Sequence, residues 1–259
     1  MQIAFVGGGN MAQAIIRGLI EAGHPPDRIS VADPAPQQRA ALASLNERVN
    51  VQEDNLQILT AADTVVLAVK PQVMAGVAES LADSLNTGRQ LIISIAAGIT
   101  MQSLADWFGA DAQVVRVMPN HPALIGQGMS GMFAADAVGT DGRDAASYVL
   151  QASGEIRWFT EEPRLDAVTA ISGSGPAYYY LVMEILQDVA EELGFDAETA
   201  RMLSVQTALG ASQVAAGTNE TLTQLREQVT SPGGTTAAAI TVLEDAGIRD
   251  IFRKALYAA

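Results

Sequence analysis

Ile3-Ala4-Phe5-Val6-Gly7-Gly8-Gly9-Asn10-Met11-Ala12 is the stretch that decides the fold of this chain. Four apolar residues of strand length run into three glycines, and Met11 to Glu21 then carries a helical apolar pattern. A G-x-G-x-x-A turn between a strand and a helix suits the pyrophosphate of a dinucleotide. Gly7 permits the tight turn, Gly9 lets the backbone approach the phosphates, and Ala12 lets helix and strand pack closely. Gly8, Asn10 and Met11 complete the turn, and the unpaired N–H groups of the helix start face the anion.

The same alternation continues along the chain. Ile29 to Ala32 reads as a second strand and Gln37 to Leu45 as a second helix. Thr64 to Val69 and Leu91 to Ile95 are near-continuous apolar runs, as expected of parallel strands covered on both faces. Val114 to Met118, Met129 to Phe133 and Ile156 to Phe159 extend the pattern. The expectation is an α/β Rossmann-type domain, a doubly wound parallel sheet, over residues 1–160. No convincing strand follows Phe159. Pro176 to Leu193, Asp196 to Ala216 and Thr235 to Ala246 read as helices, with Gly194 as a stop and Asp196 as an N-cap. Residues 161–259 are therefore expected to form an all-α helical domain.

Those helices are apolar around much of their circumference, notably Tyr178 to Ile185 and Ala200 to Ala211. A helix apolar on most sides is buried on most sides. Two readings stand: a partner subunit with interlocked helices, or a thick intrachain core covered on one face by the first domain.

Composition narrows the function. Across 259 residues, 49% are hydrophobic, 17% are charged and the formal net charge is −14. That balance argues for a globular chain and against nucleic acid or an anionic membrane as the main partner. With no cysteine, a disulfide, a thiolate metal site and a cysteine nucleophile are excluded, and no metal is expected. The first residues lack a basic leader and no apolar run is long enough to span a bilayer, so the cytoplasm is the expected location.

Several residues at strand ends are candidates for the cofactor. Asp33 closes the second strand, where an acidic residue hydrogen-bonds the adenosine ribose and selects NAD over NADP. The alternative is a simple helix N-cap beside Pro34. Ala68-Val69-Lys70-Pro71 ends a buried strand at the ligand-binding edge of the sheet, and Lys70 is one of two lysines in the chain. It either faces the cofactor or caps the strand in solvent. Ser94-Ile95-Ala96-Ala97-Gly98 ends the next strand with small side chains, which make either room for a nicotinamide ring or a tight turn. His24, between Gly23 and Pro25, reads as part of a solvent turn.

A second anion site is expected far along the chain. Ser231-Pro232-Gly233-Gly234-Thr235-Thr236 opens a helix with paired glycines and adjacent hydroxyls. The backbone N–H groups there can bind a carboxylate without an arginine.

Taken together, six segments resemble the pyrroline-5-carboxylate reductase family. They are Gly7 to Ala12, Ala68 to Gln72, Ser94 to Gly98, Val117 to Asn120, Ser172 to Tyr178 and Ser231 to Thr236, in the family's order. The resemblance implies reduction of 1-pyrroline-5-carboxylate to L-proline by NADPH or NADH, and a helical domain that forms homodimers and larger rings of dimers. It favours NADPH, against the NADH preference read from Asp33. It also implies Asn55 as a cofactor contact and Glu162 as a substrate contact, although Glu162 alone reads as a solvated loop carboxylate. Ser231, Gly233, Gly234 and Thr235 would seat the substrate, and the Thr236 hydroxyl would face its ring nitrogen. His121 stands where the family more often has Thr, and the family's last helix usually continues past Ala259.

Two rivals remain at this point. A β-hydroxyacid dehydrogenase shares the two-domain plan but uses a lysine of the helical part as acid, and no lysine lies between Lys70 and Lys254. A non-catalytic NAD(P)-sensing protein would have no need of the Ser231 to Thr236 turn.

Overall fold

A computed structural model describes residues 1–259. The chain divides into two compact units, Met1–Gly173 and Ser174–Ala259. The first contains β1 (Ile3–Val6), α1 (Asn10–Glu21), β2 (Ile29–Ala32), α2 (Pro36–Leu45), β3 (Asn50–Gln52), α3 (Leu56–Leu59), β4 (Thr64–Leu67) and α4 (Pro71–Ala82). It continues with β5 (Leu91–Ser94), α5 (Met101–Phe108), β6 (Val114–Met118), β7 (Gly128–Ala134), α6 (Thr140–Gln151), β8 (Gly154–Trp158) and α7 (Arg164–Val168).

The eight strands lie in the order β3-β2-β1-β4-β5-β6-β7-β8. Every pairing is parallel except β6 with β7. Only a short loop with a 3₁₀ turn, His121–Ile125, joins β6 to β7. Without a crossover helix the chain must return in the opposite direction.

Strands β1, β4 and β5 are buried at every position, because helices cover both faces. Alternate side chains enter two separate cores. Phe5, Val66 and Ile93 pack with Ile15, Ile16 and Leu19 of α1. Val6, Leu67 and Ile92 pack with Met74 and Leu81 of α4.

The first compact unit runs past the boundary expected at residue 160. Leu165 of α7 is fully buried. A Cβ added at Gly131 of β7 would lie 2.9 Å from Val168 and 3.1 Å from Leu165. This close approach keeps α7, and the π turn Thr169–Gly173 after it, with the sheet.

The second unit holds α8 (Gly175–Glu192), α9 (Ala197–Ala216), α10 (Leu222–Gln228), α11 (Thr235–Asp245) and α12 (Ile248–Ala258). Gly194 takes φ +98° just after α8, a conformation that favours glycine. Asp196 caps α9 by accepting from Thr199 N and from the Thr199 hydroxyl, each at 2.9 Å, and these bonds hold its carboxyl below the usual range. Thr221 and Gln224 form a reciprocal capping box on α10. Only Gly175, Ala200 and Ser204 are buried in this unit. Leu181, Ile185, Leu243, Ile251 and Phe252 line an apolar groove of about 400 Å³ on α8, α11 and α12. No helix is long and apolar enough to cross a membrane.

Candidate functional site

The three glycines after β1 have different reasons to be glycine. Gly7 has φ +96°, and a Cβ there would sit 2.8 Å from the Ala68 carbonyl oxygen at the end of β4. At Gly8 a Cβ would meet Leu42 of α2 at 2.4 Å. Gly9 has nothing within 4 Å of its missing Cβ. It is the N-cap of α1 and supplies no side-chain cap, so the first N–H groups of the helix stay available to a ligand. Gln13 braces the turn from behind, donating to Gly8 O and to Gln38 Oε1, each at 2.8 Å.

Beside this turn lies a cavity of about 370 Å³, bounded by Gly9 to Met11, Gln38, Ala68 to Pro71 and Ile95 to Ala97. These segments leave the carboxyl ends of β1, β4 and β5, the edge where open α/β sheets bind ligands. An open glycine cradle, an uncapped helix start and a cavity at that edge fit a dinucleotide. Lys70 is exposed and precedes Pro71 at the start of α4. Ala96 is buried and Ala97 exposed, so the wall between them is made of small groups.

Asp33 turns its carboxylate toward the backbone. Oδ2 accepts from Gly8 N and Oδ1 from Ala35 N, both at 2.8 Å. It thus clasps the glycine turn to the start of α2. Asn55 lies just before α3, beyond the carboxyl end of β3, with its backbone helical and no side-chain cap.

Glu162 is no solvated loop carboxylate. Its Oε1 accepts from Met101 N at 2.7 Å and from Arg116 Nη1 at 2.6 Å. Arg116 sits on β6 and is only 6% exposed. Breaking such a pair would leave a charge buried without its partner, which costs about 3–5 kcal/mol. The contact fixes the start of α5, and with it the Ala96–Thr100 turn, against β6.

Asn120 is a strut that sequence reading passed over as one letter of a motif. Its Nδ2 donates to Ser172 O at 2.9 Å and its Oδ1 accepts from Met129 N at 2.8 Å. Met118 packs against Gly173, where a Cβ would meet it at 2.6 Å. Val117 to Asn120 and Ser172 to Gly173 thus form one joined structure.

His24 corrects an expectation. The ring is 4% exposed, with Nδ1 3.0 Å from the Tyr148 hydroxyl of α6. Burial pushes its pKa below the usual histidine value.

In the second unit Ser231 to Gly234 form a turn that opens α11. Gly233 has φ +71°, and Gly234 N donates to Ser231 O at 3.0 Å, closing the turn. Gly234 is the N-cap of α11 and no side chain caps that helix. Ser231, Gly233, Thr235 and Thr236 are exposed, and Gly234 is partly so. The N–H groups of the first turn of α11 are therefore left without a side-chain partner.

Comparison with known proteins agrees with this arrangement. A family model described as pyrroline-5-carboxylate reductase dimerisation matches residues 162–259. Another, described as NADP oxidoreductase coenzyme F420-dependent, matches residues 2–98. The chain is 46% identical over 258 residues to a pyrroline-5-carboxylate reductase of Pseudomonas aeruginosa, spanning 100% of this chain and 94% of that one. It resembles the solved structure of a pyrroline-5-carboxylate reductase from Coxiella burnetii with a TM-score of 0.92 and 43% identity, over 99% of this chain and 95% of that one. A Plasmodium falciparum pyrroline carboxylate reductase solved with NADP bound matches with a TM-score of 0.87 and 27% identity, over 100% of this chain and 95% of that one.

Proposed function

The chain belongs to the pyrroline-5-carboxylate reductase family, and from that premise we propose how its residues reduce 1-pyrroline-5-carboxylate to L-proline. A hydride goes to the imine carbon and a proton to the ring nitrogen, leaving the oxidised dinucleotide and proline. A reduced nicotinamide dinucleotide supplies the hydride. The observation that carries the residue assignment is the pair of uncapped helix starts, at Gly9–Met11 and at Gly234–Thr236. One suits a pyrophosphate and the other a carboxylate.

Gly7, Gly8, Gly9, Asn10, Met11 and Ala12 hold the pyrophosphate. Asp33 and Asn55 border the adenosine end. Ala68 to Pro71, with Ala96 and Ala97, shape the nicotinamide end. Glu162 acts at the substrate end of the first unit by pinning the Ala96–Thr100 turn through Met101.

In the second unit, Ser231, Gly233, Gly234 and Thr235 bind the substrate carboxylate. The Thr236 hydroxyl donates toward the ring nitrogen and orients it. That bond polarises the neutral imine, and a proton relayed from solvent through the hydroxyl reaches the nitrogen as hydride reaches the carbon, so no acid of tuned pKa is needed. Holding the imine carbon at about 3–3.5 Å from its hydride donor supplies much of the acceleration.

The exposed apolar faces of α8, α11 and α12 support a homodimer through the helical unit. Larger rings of dimers and a cytoplasmic setting are part of the same reading. The test is oxidation of NADPH and NADH by the purified protein with and without 1-pyrroline-5-carboxylate. Imine-dependent oxidation is expected, and its absence with both cofactors would overturn the assignment.

A further inference from the structure

The end of β2 carries a charge arrangement that the dinucleotide reading leaves unexplained. Asp33, the residue expected to select NAD, has each carboxylate oxygen already accepting a backbone N–H, from Gly8 and from Ala35. Its charge is directed at the turn it clasps. From the first turn of α2, Arg39 reaches back over the same loop. Its Nη1 donates to Asp33 O at 2.9 Å and to Pro34 O at 2.8 Å. Two carbonyls thus fix the guanidinium plane, and the Arg39 side chain is only 23% exposed.

The other terminal nitrogen, Nη2, lies 3.0 Å from Glu53 Oε2. Glu53 follows β3, the parallel neighbour of β2, so it rises from the same sheet edge. Its side chain is 72% exposed. An exposed carboxylate on a preorganised guanidinium is a weakly held partner. A phosphate dianion in its place would gain charge-assisted bonds to a fork that is already positioned. The ribose next to adenine sits at the end of β2 in such domains, and an arginine there accommodates a 2′-phosphate.

We propose that Arg39 receives the 2′-phosphate of NADPH, with Glu53 occupying that phosphate's place in its absence. The preference for NADPH over NADH is then set by an exchange of anions on Arg39. Glu53 lowers the preference, because the phosphate must displace it. This rests on the reading that Gly7 to Ala12 binds a nicotinamide dinucleotide.

The test uses the adenosine end alone. Binding of 2′,5′-ADP and of 5′-AMP to the full-length protein is measured by calorimetry at low salt. The wild type should bind 2′,5′-ADP at least tenfold more tightly than 5′-AMP. R39M should erase that difference and leave 5′-AMP binding within twofold. E53Q, an exposed change that leaves the turn intact, should strengthen 2′,5′-ADP binding severalfold and leave 5′-AMP unchanged. Equal binding of the two nucleotides by the wild type would overturn the proposal. So would a loss of both nucleotides together in R39M, or weaker 2′,5′-ADP binding in E53Q. If R39M fails to fold, the E53Q result decides. Because no imine is present, failure of the reductase assignment would show in the turnover assay and leave these outcomes readable.

Discussion

Met1–Gly173 and Ser174–Ala259 solve the problem of apolar surface in opposite ways. In the first unit β1, β4 and β5 are buried at every residue and helices close both faces of the sheet. In the second, long helices carry Leu181, Ile185, Leu186, Ile251 and Phe252 at 40–59% exposure. With about half of each side chain still to be covered, each contributes about 0.7–1.5 kcal/mol when a partner surface closes over it. The first unit covers its apolar strands with its own helices, whereas the second leaves helix faces uncovered, the faces of the proposed homodimer. The family model for dimerisation falls on that helical stretch. Cofactor binding should therefore be a property of the chain and turnover a property of the pair.

The strongest way to break that contrast is to put a charge in the α8–α12 groove. Ile185→Glu would bury an unpaired carboxylate in the proposed interface, at a cost of about 3–5 kcal/mol. Sedimentation velocity should show a predominantly monomeric chain. Imine-dependent turnover should fall at least about 100-fold, or roughly 2.7 kcal/mol, while dinucleotide affinity stays near wild type. A dimer that persists unchanged would place the interface elsewhere.

A smaller effect belongs to the first unit. Gly7→Ala forces an L side chain to φ +96° against the Ala68 carbonyl oxygen. It should lower the stability of this unit by about 1–3 kcal/mol and weaken dinucleotide binding, without altering the oligomer. Denaturant unfolding and calorimetry read both. Unaltered cofactor affinity would mean that the turn does not hold the pyrophosphate.

The smallest effect concerns His24. Burial disfavours its charged form in the folded state, so the unfolded chain binds the proton more readily. Stability should be full above pH about 6.5 and should fall as pH drops below that value, until the folded ring itself protonates. Melting temperatures between pH 8 and pH 5 for wild type and His24→Phe would show this, with the variant less sensitive to acid. Parallel curves for the two proteins would remove His24 from the acid response.

Much of the first unit was legible because local pattern and tertiary role coincide there. The run Ile3 to Val6 followed by Gly7 to Gly9 states strand, turn and helix in adjacent residues. β3 escaped because Asn50–Gln52 is three residues long, polar and at the sheet edge. The reversal at β7 escaped because strand direction is set by the connection and not by the strand's own residues. His24 and Glu162 were misread for one reason: their partners are distant in sequence. Gly23-His24-Pro25-Pro26 has turn composition, yet Tyr148 covers the ring. Glu161-Glu162-Pro163 has loop composition, yet Arg116 waits beneath it. Leu165 and Val168 pack on the sheet, so the first compact unit reaches Gly173, although the dimerisation family model begins at residue 162. Asp33 was visible as a residue at the right place, but which way its carboxylate faces depends on Gly8 and Ala35.

The division of labour between the two units is tested most directly by Thr236→Ala, measured for turnover and for dinucleotide affinity in the same preparation. Thr236 lies at the start of α11, in the second unit, far along the chain from the glycine turn. The account predicts a kcat lower by at least about tenfold, or roughly 1.4 kcal/mol, with dinucleotide affinity and oligomeric state unchanged. An unchanged kcat, or a loss of dinucleotide binding in step with turnover, would contradict it.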